Sequence, residues 1–136
     1  MHRIEITHQS QLPVADLFDA LADHNRLGKV FGAPVRRIRD GETELNGVGS
    51  VRKIGIGPLG IEETVTALER NRTIDYRITR GGFPLRDHRG HIEFTQSGGG
   101  SRVDWTIEFG SHLPGAGAVI AFVLERAIRM GLKRVG

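Results

Sequence analysis

From Val35 to Phe109 apolar and polar positions alternate with a period of two, and turn residues interrupt them at intervals of roughly eight to twelve. This predicts six strands: Val35–Arg39, Ser50–Ile56, Glu62–Glu69, Thr73–Arg80, Arg86–Gln96 and Arg102–Phe109. Asp40-Gly41, Gly47 with Gly49, Gly57-Pro58-Leu59-Gly60, Arg70-Asn71, Gly81-Gly82-Phe83-Pro84 and Gly98-Gly99-Gly100 lie between them as turns. Arg3–Ser10 alternates in the same way and supplies a seventh strand, Ile4 and Ile6 on one face and Arg3, Glu5 and Thr7 on the other.

Two segments change period. After Pro13, Val14, Leu17, Phe18 and Leu21 recur at helical spacing, and His24–Phe31 reads as a second short helix closed by Gly32 and Pro34. The run Ala116–Leu132 is the only long helix. It sets Ile120, Val123, Leu124, Ala127, Ile128 and Gly131 on one side and Arg126, Arg129 and Lys133 on the other. An antiparallel sheet with one wet and one covered face, two short helices and one long helix defines an α+β domain over residues 1–136. The long helix is expected across the concave face of a curved seven-stranded sheet.

Parity assigns the faces. Ile74, Tyr76 and Ile78 point inward, as do Ile92 with Phe94 and Val103 with Trp105, Ile107 and Phe109; Asp75, Arg77, Arg89, His91, Glu93, Asp104 and Glu108 point outward. A hairpin through the three glycines would set Phe94 opposite Trp105, Ile92 opposite Ile107 and Gly90 opposite Phe109. Glu63 shares the parity of Val65 and Ala67, and His88 that of Ile92 and Phe94, so two ionisable residues join Tyr76 on the covered face. With strands about 4.8 Å apart, Glu63 and His88 fall roughly 10 Å apart at Cα across Ile78. Arg52 has the parity of Ile54 and Ile56; it is placed inward, to pair with Glu63 or bind a carboxylate, unless a bulge at Gly55 or Gly57 reverses the face.

Composition narrows the function classes. The chain is 38% hydrophobic and 26% charged, as an ordinary globular domain is. It has no cysteine, which removes disulfides, thiolate nucleophiles and thiolate metal ligands and fits a reducing, cytoplasmic location. No apolar h-region follows Met1, so no signal peptide is expected. The C-terminal apolar run is shorter than a bilayer span and carries Glu125, Arg126 and Arg129. A net charge of +3 spread from Arg3 to Arg134, with 6% aromatics, argues against nucleic acid as the partner. His88 and His91, three apart on a strand, point to opposite faces and cannot share a metal, and no other spacing suggests a metal or a cofactor. Gly55-Ile56-Gly57-Pro58-Leu59-Gly60 is followed by a strand where a dinucleotide fingerprint needs a helix.

The element order, together with Gly47-Val48-Gly49-Ser50-Val51-Arg52, Glu62-Glu63-Thr64-Val65-Thr66-Ala67-Leu68-Glu69, Thr73-Ile74-Asp75-Tyr76-Arg77-Ile78, Gly82-Phe83-Pro84-Leu85-Arg86-Asp87-His88 and Gly100-Ser101-Arg102-Val103-Asp104-Trp105, resembles the helix-grip superfamily. That superfamily includes START domains, the birch pollen allergen and the small bacterial polyketide cyclase/dehydrase and lipid-transport proteins. The resemblance covers nearly the whole chain. It implies the helix-grip fold and a hydrophobic cavity between sheet and C-terminal helix; it implies function far less, because the superfamily hosts carriers, receptors, enzymes and proteins that act on other proteins. Where that pattern often carries tyrosine after Arg-Asp, this chain has His88.

The expected ligand is a small hydrophobic molecule, a lipid, polyketide or isoprenoid-like compound. It would be held by Ile120, Leu124 and Ile128 of the helix and Arg52, Glu63, Val65, Tyr76, His88, Trp105 and Ile107 of the sheet. Two alternatives stand beside binding. In an aromatase/cyclase-type enzyme Glu63 and His88 would act as acid and base with Tyr76 as donor. In an interaction module the basic stripe Arg126, Arg129 and Lys133 would meet a protein partner. The loops Gly57–Gly60 and Gly81–Pro84, with Phe83 at a tip, are candidate gates, and the last helix is a candidate lid.

Overall fold

The structure, a computed structural model, describes residues 1–136. Strand β1 (His2–Ser10) leads into helix α1 (Val14–Ala22), a 3₁₀ turn at His24–Arg26 and one helical turn, α2 (Gly28–Phe31). Strands β2 (Val35–Arg39), β3 (Val51–Ile54), β4 (Ile61–Glu69), β5 (Thr73–Arg80), β6 (Leu85–Ser97) and β7 (Gly100–Ser111) follow, and then helix α3 (Ala116–Val135). All seven strands form one curved antiparallel sheet in the order β1-β7-β6-β5-β4-β3-β2. The expected α+β arrangement, a seven-stranded sheet with two short helical segments and one long helix, is the one present.

Local chemistry sets the short elements. Pro13, with φ −55°, precedes α1 in the conformation its ring prefers, and Leu17, Phe18 and Leu21 form the buried stripe. The Asp23 carboxylate then accepts the Asn25 N–H, starting a new turn at His24. The segment His24–Phe31 is therefore two short turns rather than one helix, and Gly32, at φ +69°, ends it as the left-handed cap.

Three expectations of register need correction. The β6–β7 hairpin turns on two residues, Gly98-Gly99, with Ser97 paired to Gly100. Ile92 therefore faces Trp105, Phe94 faces Val103 and Gly90 faces Ile107, each shifted by two from the sequence-based pairing. Of the two turn residues only Gly98 has positive φ, the pattern of a type II′ turn, which continues both strands to the turn itself. In β4 an extra residue between Val65 and Ala67 forms a bulge, so Ala67 turns outward and Leu68 packs on the core in its place. In β3, Gly55 at φ +88° ends the strand after Ile54, and Ile56 lies exposed in the following loop.

The core lies at the end of the concave face nearest the β4–β5 and β6–β7 turns, to which β4 and β5 also contribute Val65 and Ile74. Ile4, Ile6, Ile92, Phe94, Val103 and Trp105 meet the α1 stripe and Leu27 and Val30 there. Helix α3 joins this core through its C-terminal half: Ile128 and Leu132 are fully buried, each contributing about 1.5–3 kcal/mol by transfer from water. Gly131 allows this docking, because a β-carbon there would run into the Val30 backbone. Gly117 plays the same part against the His2 ring near the start of the helix. Between these two contacts the helix keeps Val119, Phe122 and Val123 exposed. None of the chain's helices is long and apolar enough to cross a membrane.

Gly131→Ala should therefore lower unfolding stability in a urea titration by about 1–3 kcal/mol, the range for overpacking a close contact. Helix propensity alone would make the same change stabilising, so a gain in stability would contradict the described docking of α3.

Candidate functional site

Helix α3 is anchored along β1 and α2, and the other side of the concave face is left partly uncovered. The space between is a cavity of about 380 Å³, within the size range of small-molecule sites. Its helix wall is Val119, Ile120, Val123, Leu124 and Ala127. The sheet supplies Ile54, Ile61, Ile78, Leu85 and Ile107, and Phe31 and Ala33 close the end beside α2. The polar contributions come from Tyr76, Glu63 and His88. Val119 and Val123 line the cavity and are also exposed, so its mouth opens beside the N-terminal half of α3.

Behind the polar end lies a buried ionic cluster. Arg52 is 2% exposed and directs Nε (2.8 Å) at Oε1 of Glu63; its Nη2 lies 2.8 Å from the same oxygen without pointing at it. The guanidinium lies over the Tyr76 ring at 4.5 Å, and its Nη1 is 3.4 Å from Nδ1 of His24. An arginine has only donors, so His24 Nδ1 is the acceptor, and its protonated Nε2 donates to Ser50 Oγ at 2.8 Å. Burial, and then the charges of Arg52 and Arg37, push the His24 pKa down to about 3, so the ring is neutral.

Glu63 gives one oxygen to Arg52. The other, Oε2, has no hydrogen-bond partner and lies 3.9 Å from Nε2 of His88. The ladder between β5 and β6 ends at Tyr76 and Gly90, and beyond it His88 Nδ1 accepts the Ile78 N–H at 3.2 Å. A bulge in β6, with Asp87 at φ +52°, turns His88 into this position. Because Nδ1 accepts, the proton of the neutral ring is on Nε2, facing Glu63 and the cavity. Burial lowers the His88 pKa; Glu63 opposes that shift and Arg52 adds to it.

Of the residues expected to bind ligand, Glu63, Tyr76, His88, Ile107, Ile120 and Leu124 line the cavity. Four do not. Val65, Trp105 and Ile128 are sealed in the dry core, and Arg52 lies behind Glu63. The core lies to one side of the cavity, and inward parity alone does not separate a wall of the cavity from a residue packed beneath α1 or α3. The Tyr76 hydroxyl accepts Trp105 Nε1–H at 2.8 Å inside the core. Its pKa is raised by burial first and then by Glu63. Sequence reasoning missed His24 and Ser50, which complete the ionic cluster, and the cavity residues Phe31, Ala33, Ile54, Ile61, Ile78, Leu85, Val119, Val123 and Ala127. Val123 and Ala127 were on the predicted apolar face of the helix and Ile54 and Ile78 on the inward face of the sheet, and that was the available signal.

The two candidate gate loops touch each other: a β-carbon at Gly81 would crowd the carbonyl oxygen of Gly60. Leu59 and Phe83 are exposed on them, and the Phe83 ring stacks on His112 with centroids 6.1 Å apart. On the outer face of the sheet a larger depression of about 650 Å³ lies over the opening between β5 and β6, bordered by Asp75, Arg77, Asp87, Arg89 and Glu108. It is charged and open, and His88 with the Ile78 N–H fills the gap between it and the apolar cavity. His91 lies on that outer face between Asp75 and Glu93; burial opposes its charge, but these hydrogen bonds prevail and its pKa is raised.

A curved antiparallel sheet gripping a long helix around an apolar cavity is the architecture of helix-grip, START-like proteins. The model of the family described as polyketide cyclase/dehydrase and lipid transport matches residues 1–136, and the chain belongs to that family. Among solved structures it is similar to a Thermobifida fusca protein (TM-score 0.78, 16% identity, covering 100% of this chain and 94% of that one). It is also similar to Ara h 8.0201 (TM-score 0.72, 21% identity, 98% and 97%) and to the Aha1 dimer from Colwellia psychrerythraea (TM-score 0.73, 14% identity, 99% and 93%). At these identities the likeness is one of fold. No curated protein matches the chain in sequence.

The neutral, buried histidines fix the sign of the pH dependence. With a folded pKa near 3 against about 6.5 unfolded, His24 contributes stability that is complete above pH 6.5 and lost as pH falls toward 3. Between pH 6.5 and 5 the loss from His24 should be roughly 2 kcal/mol in urea titrations. His24→Gln, which keeps a donor for Ser50 and does not titrate, should lose less over the same interval; an equal loss would contradict the assignment.

Proposed function

We propose that this protein binds and carries a small, largely apolar molecule in the cavity between α3 and the sheet. The observation that carries the reading is the contrast between the two parts of that cavity: a wall of aliphatic side chains over a single polar end. An apolar guest would make dispersion contacts with this wall. The membership in a family described in part by lipid transport supports the same reading. The mouth beside Val119 and Val123 gives an apolar route for loading.

Acid–base catalysis by Glu63 and His88 is the second reading, supported by the free Glu63 oxygen 3.9 Å from His88 Nε2. In it His88 Nε2–H would hydrogen-bond a carbonyl oxygen and Glu63 Oε2 would take a proton from the adjacent carbon, leaving an enolate held by His88. Tyr76 accepts Trp105 Nε1–H and keeps its own proton, its pKa being raised by burial, so it could serve only as a hydrogen-bond donor. A surface role for the basic stripe has weaker support: Arg129 pairs with Glu125 and reaches the Glu5 carbonyl, and Arg126 rests against Phe122.

Binding should be measurable as a thermal shift with apolar probes of naphthalene size. Ile120→Trp, which fills the cavity from α3, should reduce affinity about tenfold or more, whereas Met130→Ala, on the exposed side of the same helix, should leave it unchanged. Equal affinity in both variants would place the probe elsewhere.

A further inference from the structure

The proposed cavity reading leaves open which polar group the ligand carries, and the polar end is specific about it. Two atoms there are open and face each other: Nε2 of His88 and Oε2 of Glu63, 3.9 Å apart. Each has a fixed role. Nδ1 of His88 is occupied by the Ile78 N–H, so Nε2 carries the hydrogen and can only donate. Oxygen Oε1 of Glu63 is held by Arg52, which leaves Oε2 as an acceptor. The separation is too long for a direct hydrogen bond, and one oxygen atom fits between them at about 2.8 Å from both.

We infer that the cavity selects apolar molecules bearing a neutral hydroxyl, with the hydroxyl oxygen accepting from His88 Nε2–H and its proton donated to Glu63 Oε2. This deepens the proposed function and depends on it. A hydroxyl is both donor and acceptor at one atom, as the pair requires. A ketone accepts from His88 but gives Glu63 nothing. A carboxylate would bring a second anion against the Glu63 carboxylate, and the guanidinium that could offset it is already engaged behind Glu63. A plain hydrocarbon would leave both atoms desolvated without a partner.

Three probes of one shape test this at pH 7: 2-naphthol, 2-naphthoate and 2-methylnaphthalene, with affinities from calorimetric titration. The expected order is 2-naphthol tighter than both others by about tenfold or more, the penalty range for unpaired buried polar groups. His88→Asn separates positioning from donation. The shorter side chain can still accept the Ile78 N–H through its carbonyl oxygen, but it lacks a donor at the Nε2 position. In that variant 2-naphthol should lose severalfold in affinity and keep only the advantage over 2-methylnaphthalene that Glu63 supplies, while 2-methylnaphthalene itself stays within about threefold of wild type. Equal binding of naphthol and methylnaphthalene by the wild-type protein, or tighter binding of naphthoate, would overturn the hydroxyl inference while leaving the cavity reading intact. Failure of all three to bind would overturn both. If His88→Asn does not fold, the wild-type series decides alone.

Discussion

The polar half of this structure depends on one buried guanidinium. Arg52 is 2% exposed, and a buried charge is costly unless it is paired and hydrogen-bonded. Glu63 must therefore lie beside it, the Tyr76 ring beneath it, and a neutral His24 within reach as a further acceptor. Each of these then constrains the next residue out. His24 needs Ser50 to hold its tautomer, the Tyr76 hydroxyl meets Trp105, and the second oxygen of Glu63 is turned toward His88. What reaches the cavity is the outer edge of this cluster: one acceptor and one donor, both pre-positioned. Pre-positioning of this kind converts a costly buried charge into a selective polar contact.

The apolar half follows from how α3 is held. Gly131 and Gly117 let the helix approach α2 and β1 closely, which fixes it over one side of the sheet. The opposite end of the concave face, bounded by Ile54, Ile61, Ile78, Leu85 and Ile107, forms the cavity. Dry core and cavity thus share one concave face. Trp105 and Ile128 belong to the first, and Ile107, Ile120 and Leu124 to the second.

The strands, the covered face and the presence of Arg52, Glu63, Tyr76 and His88 on it were legible in the sequence, because period-two alternation reports which way a side chain points. The exact pairings were not. Three glycines in a row do not say which two make the turn, and the bulge between Val65 and Ala67 has no glycine or proline to mark it. Alternation also carries no depth: it puts Val65 and Trp105 inward but does not say whether helix or empty space lies above them. His24 escaped notice because it follows a helix and precedes a turn, with no periodic partner. Its role appears only when β3 brings Arg52 and Ser50 to it.

The central claim is that a guest occupies the space above Ile107 and beneath Ile120 and Leu124. Nuclear Overhauser contacts between 2-naphthol and the methyl groups of isoleucine, leucine and valine test it most directly. The account predicts contacts to Ile107, Ile120 and Leu124, and none to Val103 or Ile128, which are sealed in the core. Contacts confined to exposed residues such as Ile56 and Leu59, or contacts to Val103 and Ile128 instead, would contradict it.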